Sequence, residues 1–352
     1  MNLLDKATSV AHYCVHSVNP FGATTRRPTE GKKEDIQVEI GASNRFVDGF
    51  RYLFNIRSNI LLINSQINAG NISEEIIEKT KNYLHENGLH DVSISINQYK
   101  PQGVWRRIFT NPKTSLLSKL ILGIPEGLVA TFAIPKLSGI PGDHYSAAQN
   151  TIHLFTNDLS VALHECGHAK DFNDRENPML YSATRLSSMV GNIYPSTLPV
   201  LIGSIPTLSQ EFIASKNAIE YLQADQHSAD RAQNIKNAFK LLVPAFAGYV
   251  SQAVSSYISV NQDMFETDAH IIRSFTQQTD PVTLYIQSYM KSMMIVFICV
   301  FIGHILGQFI AARVPDDSDI TQVTAQMAKL NLQDPVEASD DASPLKEAVS
   351  NT

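Results

Sequence analysis

The segment VALHECGHAKDF contains the pattern His-Glu-x-x-His at positions 164–168. Residues four positions apart on a helix lie on one face, so the imidazoles of His164 and His168 can converge on one metal ion. Glu165 can reach a water bound to that ion and take its proton. The surrounding residues are apolar, and burying three polar side chains there without a role would be costly. The pattern therefore predicts a helix that carries a zinc site.

A zinc site with two histidines and a water takes a third protein ligand. The best candidate is Glu211 in the segment LSQEFIASKNAIEYL, where an E-x-x-A-S-x-x-A run predicts a second helix. Its small residues would let the two helices pack closely enough for the Glu211 carboxylate to reach the metal. Four other residues compete for this place: Glu220, Asp225, His227 and Asp230.

Other residues near the motif are expected to support it. Asp171, Asp225 and Asp230 are candidates to orient a ligand histidine through the ring nitrogen that faces away from the metal. Cys166 lies two positions from His164 on the same helix and points away from the ligand face. We therefore expect Cys166 to pack in the core.

The composition excludes two classes of protein. Three widely spaced cysteines cannot form a disulfide framework or a cysteine-rich zinc module, which favours a reducing compartment such as the cytosol for the catalytic region. The formal net charge of −6 argues against nucleic acid as a partner, because a nucleic-acid-binding protein needs a basic face. Residues 315–352 hold eight acids against two lysines, so the net charge belongs to a C-terminal segment, 314–352, that we expect to be disordered.

A run of 21 uncharged and mostly apolar residues, SMMIVFICVFIGHILGQFIAA, lies between Lys291 and Arg313. About 20 such residues are needed to cross a bilayer, so residues 291–313 are predicted to form a single membrane-spanning or anchoring helix. Membrane lipid is therefore an expected partner. Residues 186–210 also lack charge, but their three prolines favour a loop. A single crossing there would also separate Glu211 from the two histidines by the bilayer.

The segment HECGHA, followed downstream by EFIAS, resembles the gluzincin metallopeptidases. The resemblance is closest to the membrane-associated group that includes HtpX and the prenyl-protein (CAAX) protease, and it covers roughly residues 140–235. It implies that His164, His168 and Glu211 bind one zinc ion and that Glu165 is the general base. The anthrax lethal-factor type shares the HExGHAxD pattern and an E-F-x-A stretch, so the clan is better marked than the subfamily.

Two further features are implied by the same resemblance. Ser215 stands where the group usually has an aspartate behind the ligands, so that contact is altered or is supplied by Asp225 or Asp230. The segment NTIHLF, just before the motif helix, is similar to the group's edge strand, along which the backbone of a substrate can pair.

The resemblance and the sequence pattern together predict an α+β fold that is mainly α, in which a zincin-like catalytic domain places the active-site helix beside a small sheet. Ser73 and Gly88 have the positions of a helix start and a helix end. The segment DVSISINQY alternates like a half-buried strand. The expected organisation is a tail and linker over 1–35, the metallopeptidase domain over 36–270, the apolar helix over 291–313 and the acidic tail over 314–352.

The expected function is that of a zinc-dependent endopeptidase, which hydrolyses a protein or peptide substrate through a metal-activated water with Glu165 as general base. Tyr181 and His227 are candidates to stabilise the oxyanion. The alternative is a catalytically inactive, membrane-tethered scaffold that binds zinc and uses its acidic tail to bind partners. Ser215 favours the scaffold, whereas Glu165 favours the enzyme because a structural zinc site needs no base.

Overall fold

The computed structural model describes residues 30–41, 72–97, 101–111, 116, 119–132, 143–174, 198–225, 230–274 and 281–316. These residues are mainly helical and include a small mixed sheet, as the sequence predicts. The helices are α1 (Glu74–Glu86), α2 (Pro101–Thr110), α3 (Ile124–Phe132), α4 (Leu159–Asp174), α5 (Leu198–Ala224), α6 (Arg231–Ser274) and α7 (Pro281–Ala311). The strands are β1 (Val38–Ile40), β2 (Ser93–Ile96), β3 (His144–Ser146) and β4 (Thr151–Leu154). Most of the predicted N-terminal linker and most of the acidic tail lie outside the described residues.

The four strands lie in the order β1-β2-β4-β3. Strand β1 is parallel to β2, β2 is parallel to β4, and β3 runs antiparallel to β4. The prediction that NTIHLF is the edge strand is therefore wrong, because β4 pairs on both sides. The edge beside it is β3, which precedes β4 in the chain and joins it through a short turn.

The two faces of the sheet differ in polarity. Successive strand residues point to opposite faces, so Ile94 and Ile152 share one face, which packs into the main core together with residues of α1 and α4. Their neighbours Ser95 and His153 share the other face and are also fully buried. The motif helix α4 thus packs on the apolar face, while polar side chains fill the reverse face.

Helix α1 begins and ends where the sequence predicts, through local hydrogen bonds. The Ser73 side chain accepts a hydrogen bond from the amide of Ile76 at 3.3 Å, which satisfies one amide of the first turn. Gly88 adopts φ of +65°, a left-handed conformation that glycine takes without strain. The amide of Leu89 then donates to the carbonyl of Leu84 at 2.7 Å and closes the helix end.

Helix α5 corrects the prediction of a loop over residues 186–210, because its part from Leu198 onward is helical. Pro199 lies in the first turn, where an amide N–H would have no helical partner, so proline is tolerated there. Pro206 lies inside the helix, where it lacks the amide N–H of one backbone hydrogen bond and the helix nevertheless continues. The rest of that segment lies outside the described residues.

The apolar helix α7 starts at Pro281, ten residues before the predicted boundary, and packs along α6. Gly303 and Gly307 make this approach close: a Cβ on Gly303 would lie 2.6 Å from Cβ of Ala247, and one on Gly307 would lie 2.8 Å from the carbonyl oxygen of Phe239. One face of α7 is therefore buried against α6. The stretch 294–311 of α7 is long and apolar enough to cross a membrane. Of that stretch, 28% is buried in the protein.

Candidate metal centre

Helix α4 presents the His-Glu-x-x-His pattern and is capped by Asp158. Its Oδ1 atom accepts hydrogen bonds from the amides of Ser160 at 2.8 Å and Val161 at 3.2 Å. Burial raises the pKa of the Asp158 carboxyl, although these two hydrogen bonds act in the opposite direction. Cys166 is fully buried in the core, as predicted, and burial raises the pKa of its thiol. That thiol is therefore held in its neutral form, away from the site.

Helix α5 packs directly against α4 because small residues meet at the crossing. A Cβ added to Gly167 would lie 2.8 Å from Cα of Ala214 and even closer to the Ala214 carbonyl oxygen. Ala214 and Ala218 are fully buried. The E-x-x-A-S-x-x-A run thus brings the backbones of the two helices together, and this places the side chain of Glu211 over the histidines of α4.

The side chains of His164, His168 and Glu211 converge on one point. Oε2 of Glu211 lies 3.1 Å from Nε2 of His164 and 3.2 Å from Nε2 of His168. The two imidazole rings are nearly perpendicular, with centroids 4.6 Å apart. Glu211 and His168 are almost fully buried, whereas the side chain of His164 is 13% exposed. Of the three residues, His164 is therefore the one that solvent reaches most.

This donor set fits a metal ion. Ligand atoms at ~2.0–2.1 Å from a tetrahedral ion are about 3.3 Å apart, close to the spacing of the nitrogen and oxygen atoms in this cluster. Two imidazole nitrogens and one carboxylate oxygen are ligands that transition metals accept. The three residues can therefore hold a metal ion with little movement of their side chains.

Ser215 lies behind one of these histidines, as its place in the E-x-x-A-S-x-x-A run allows. Its Oγ atom is 3.2 Å from Nδ1 of His164, the ring nitrogen on the far side from Glu211. When Nε2 binds a metal, Nδ1 carries the proton and donates a hydrogen bond to such a partner, which fixes the orientation of the ring. A neutral hydroxyl takes this place, so the ring is oriented without an added negative charge.

Glu165 is connected to the edge of the sheet. Its Oε2 atom accepts a hydrogen bond of 2.7 Å from the amide of Tyr145, the middle residue of β3. The residue is 7% exposed and stands next to His164 in the chain. The carboxylate is thus tied to the edge strand, and its residue adjoins a histidine of the cluster in the chain.

The other predicted residues lie in different surroundings. Asp225 forms an ion pair of 2.8 Å with Lys79 of α1, so its carboxylate has a partner other than a ligand histidine. Asp230 is exposed at the start of α6, where its carbonyl accepts a hydrogen bond from Asn234. Asp171 is buried on α4, one turn beyond the second histidine. Glu220, a competing ligand, pairs with Lys216, while Tyr181 and His227 lie outside the described residues.

The structure also brings together a second group of possible metal ligands, which the sequence analysis did not predict. Glu126, His144 and His153 come from α3, β3 and β4, and one donor atom of each lies within 4.8 Å of the others. No spacing rule joins these residues, since the first two are separated by a segment outside the described residues. The one available signal was a histidine within a strand-like run, NTIHLF, which carries no polar pattern otherwise.

The close approach at Gly167 leads to a prediction about stability. Gly167→Ala should destabilise the protein by roughly 1–3 kcal/mol, because the new methyl group meets backbone atoms of α5 that cannot rotate away. The matched change Gly103→Ala should be neutral or stabilising, since only the side chain of Arg107 lies near, at 3.5 Å. Thermal unfolding of the metal-free proteins measures both effects. Equal unfolding temperatures for the two variants would contradict the close helix packing.

Comparisons with known proteins add no information about this site. A scan against models of protein families, a search of curated proteins and a search of solved structures each gave no match.

Proposed function

We propose that the chain is a zinc-dependent endopeptidase attached to a membrane through α7. The observation that supports this proposal most is the convergence of His164, His168 and Glu211, with Glu165 beside them and an edge strand alongside. Metal sites that serve only structure are usually closed by four protein ligands, whereas catalytic zinc sites have three and leave one position to water. The present cluster has three converging donors, and one of them, His164, is partly exposed to solvent.

Each residue of the site has a separate role in this proposal. His164, His168 and Glu211 hold the ion, and the Ser215 hydroxyl fixes the ring of His164. Zinc bound there would polarise a carbonyl group and lower the pKa of its water towards ~7. Glu165 takes the proton of the attacking water and later delivers it to the leaving amine.

The edge strand supplies the remaining element of this proposal. Strand β3 is the end strand of the sheet that the described residues form, and an extended peptide can add to such an edge through main-chain hydrogen bonds. The amide of Tyr145 on that strand already donates to Glu165, so a bound peptide would take its hydrogen bonds from other main-chain groups of the edge and would lie beside the base. A protein or peptide in extended conformation is therefore the proposed class of substrate.

One observation favours the alternative of a zinc-binding scaffold without activity. The partner of His164 Nδ1 is the neutral hydroxyl of Ser215 instead of a carboxylate, which leaves the ligand less basic. Both alternatives require the same three metal ligands. They differ only in whether Glu165 is needed.

Replacing Glu165 by glutamine tests the proposal. The glutamine carbonyl can still accept the hydrogen bond from Tyr145, so the local structure is kept while the base is lost. We expect turnover of a labelled unfolded protein to fall about 10²–10⁴-fold, with unchanged zinc content by mass spectrometry. The control is Glu220→Gln, on the exposed side of α5.

Two results would contradict this proposal. Retained turnover in the Glu165 variant would show that another group is the base. A wild-type protein that holds zinc and cleaves no substrate in a broad peptide library would favour the scaffold.

A further inference from the structure

The reverse face of the sheet carries a second group of metal-binding side chains. His144 of β3 and His153 of β4 lie directly opposite each other in the antiparallel pair, and their rings stack with centroids 4.7 Å apart. Glu126 of α3 reaches the same place. We propose that these three residues form a second binding site for a divalent transition-metal ion such as zinc, separate from the cluster on α4 and α5.

The donor chemistry supports such an ion. Two imidazoles and a carboxylate suit zinc and its neighbours in the first transition row better than calcium or magnesium, which prefer oxygen ligands. The donor atoms lie within 4.8 Å of one another, and zinc would draw them to about 3.3 Å and tilt the two stacked rings so that their nitrogens face the ion. The paired strands keep the two histidines opposite each other during that change.

Hydrogen bonds already orient the carboxylate of Glu126. Its Oε2 atom accepts from the Ser146 hydroxyl at 2.8 Å, and its Oε1 atom accepts from the Gln149 side chain at 2.5 Å. Gln149 in turn accepts a hydrogen bond of 3.0 Å from Arg107, which is paired with Glu39. Carboxylates that bind metals are typically held in this way by outer partners. Both direct donors are neutral, so they fix the carboxylate without cancelling its charge.

The burial of the three residues provides a route for an ion. His153 is fully buried, whereas Glu126 and His144 are partly exposed. An ion can therefore enter past the two outer ligands and reach the inner one, as a metal site requires.

The second site shares strand β3 with the first site. Along β3 the side chains alternate, so His144 and Ser146 face the second cluster while the amide of Tyr145 holds Glu165. An ion between β3, β4 and α3 would thus fix the edge strand in place. This role is structural and does not depend on whether the protein is a peptidase.

Metal stoichiometry of the full-length protein tests the second site. We expect native mass spectrometry after zinc loading to show two ions in the wild type, and one ion in Glu126→Gln and in His144→Gln. Both positions are partly exposed and both new side chains are polar, so we expect the fold to be kept. The matched control is His85→Gln, which removes one member of an exposed histidine pair formed by α1 and the residues after it, and should leave two ions bound.

The first site is followed in the same experiment through Glu211→Ala. One ion in this variant, and none when it is combined with Glu126→Gln, supports two separate sites. A single wild-type ion that is lost in Glu211→Ala and kept in Glu126→Gln overturns the second site and leaves the first intact. The reverse pattern supports the second site and removes the basis of the proposed peptidase, and no ion in the wild type overturns both.

Discussion

Replacing Glu211 by alanine is expected to abolish metal binding between α4 and α5 as completely as replacing His164 does. The Glu211 carboxylate is the one donor in this cluster that contacts both histidines, at 3.1 and 3.2 Å, and it is 1% exposed. Its removal leaves two imidazoles and a cavity, which is fewer than the three protein ligands of a catalytic zinc site. Zinc affinity, measured by competition with a chelator in the Glu126→Gln background, reports this site by itself.

Two matched variants serve as comparisons for the loss of zinc affinity. Ser215→Ala should lower affinity by about 10–100-fold, as losses of residues behind the ligands do. Glu220→Ala removes a carboxylate from the exposed side of the same helix and should leave affinity unchanged. Full zinc binding in the Glu211 variant would show that the carboxylate is not a ligand, and the ion pair with Lys79 makes Asp225 a poor replacement.

Local sequence patterns were sufficient to predict the two helices that form the first cluster, α4 and α5. The spacing of His164 and His168 places both on one face of α4, and the small residues after Glu211 allow the close crossing seen at Gly167. Both features act within one or two turns of a helix. Periodicity and residue size encode them directly, so they could be predicted without knowledge of the rest of the fold.

The features that the sequence did not predict depend on distant parts of the chain. Whether β4 or β3 is the edge depends on which strand pairs with β2, which the local sequence of either strand does not encode. The helical conformation around Pro206 depends on packing of α5 against α4 and α6, which outweighs the local preference of proline. The cluster of Glu126, His144 and His153 exists only after α3 and two strands have come together.

The outer face of α7 is expected to lie in lipid, and arginine on that face should release the protein from the membrane. Large apolar side chains recur there at helical spacing and are about half exposed: Met294, Phe297, Ile298, Phe301, Ile302, Ile305, Leu306 and Phe309. Eighteen residues at ~1.5 Å each give about 27 Å, close to the hydrocarbon thickness of ~30 Å. Such a stripe is costly in water and needs no partner in a bilayer.

The double variant Phe301→Arg/Ile305→Arg distinguishes lipid from water around this face. Each arginine near the middle of a spanning helix costs about 2.5–3.5 kcal/mol, so the pair should shift the protein out of the fraction that resists alkaline extraction. Met294→Arg, at the end of the same stretch, should have little effect because a long side chain there reaches the interface. Substitution is preferable to deletion of α7, because deletion would also uncover the surface of α6 around Pro244 and Ala247. If the double variant stays in the extraction-resistant fraction like the wild type, α7 does not span the bilayer.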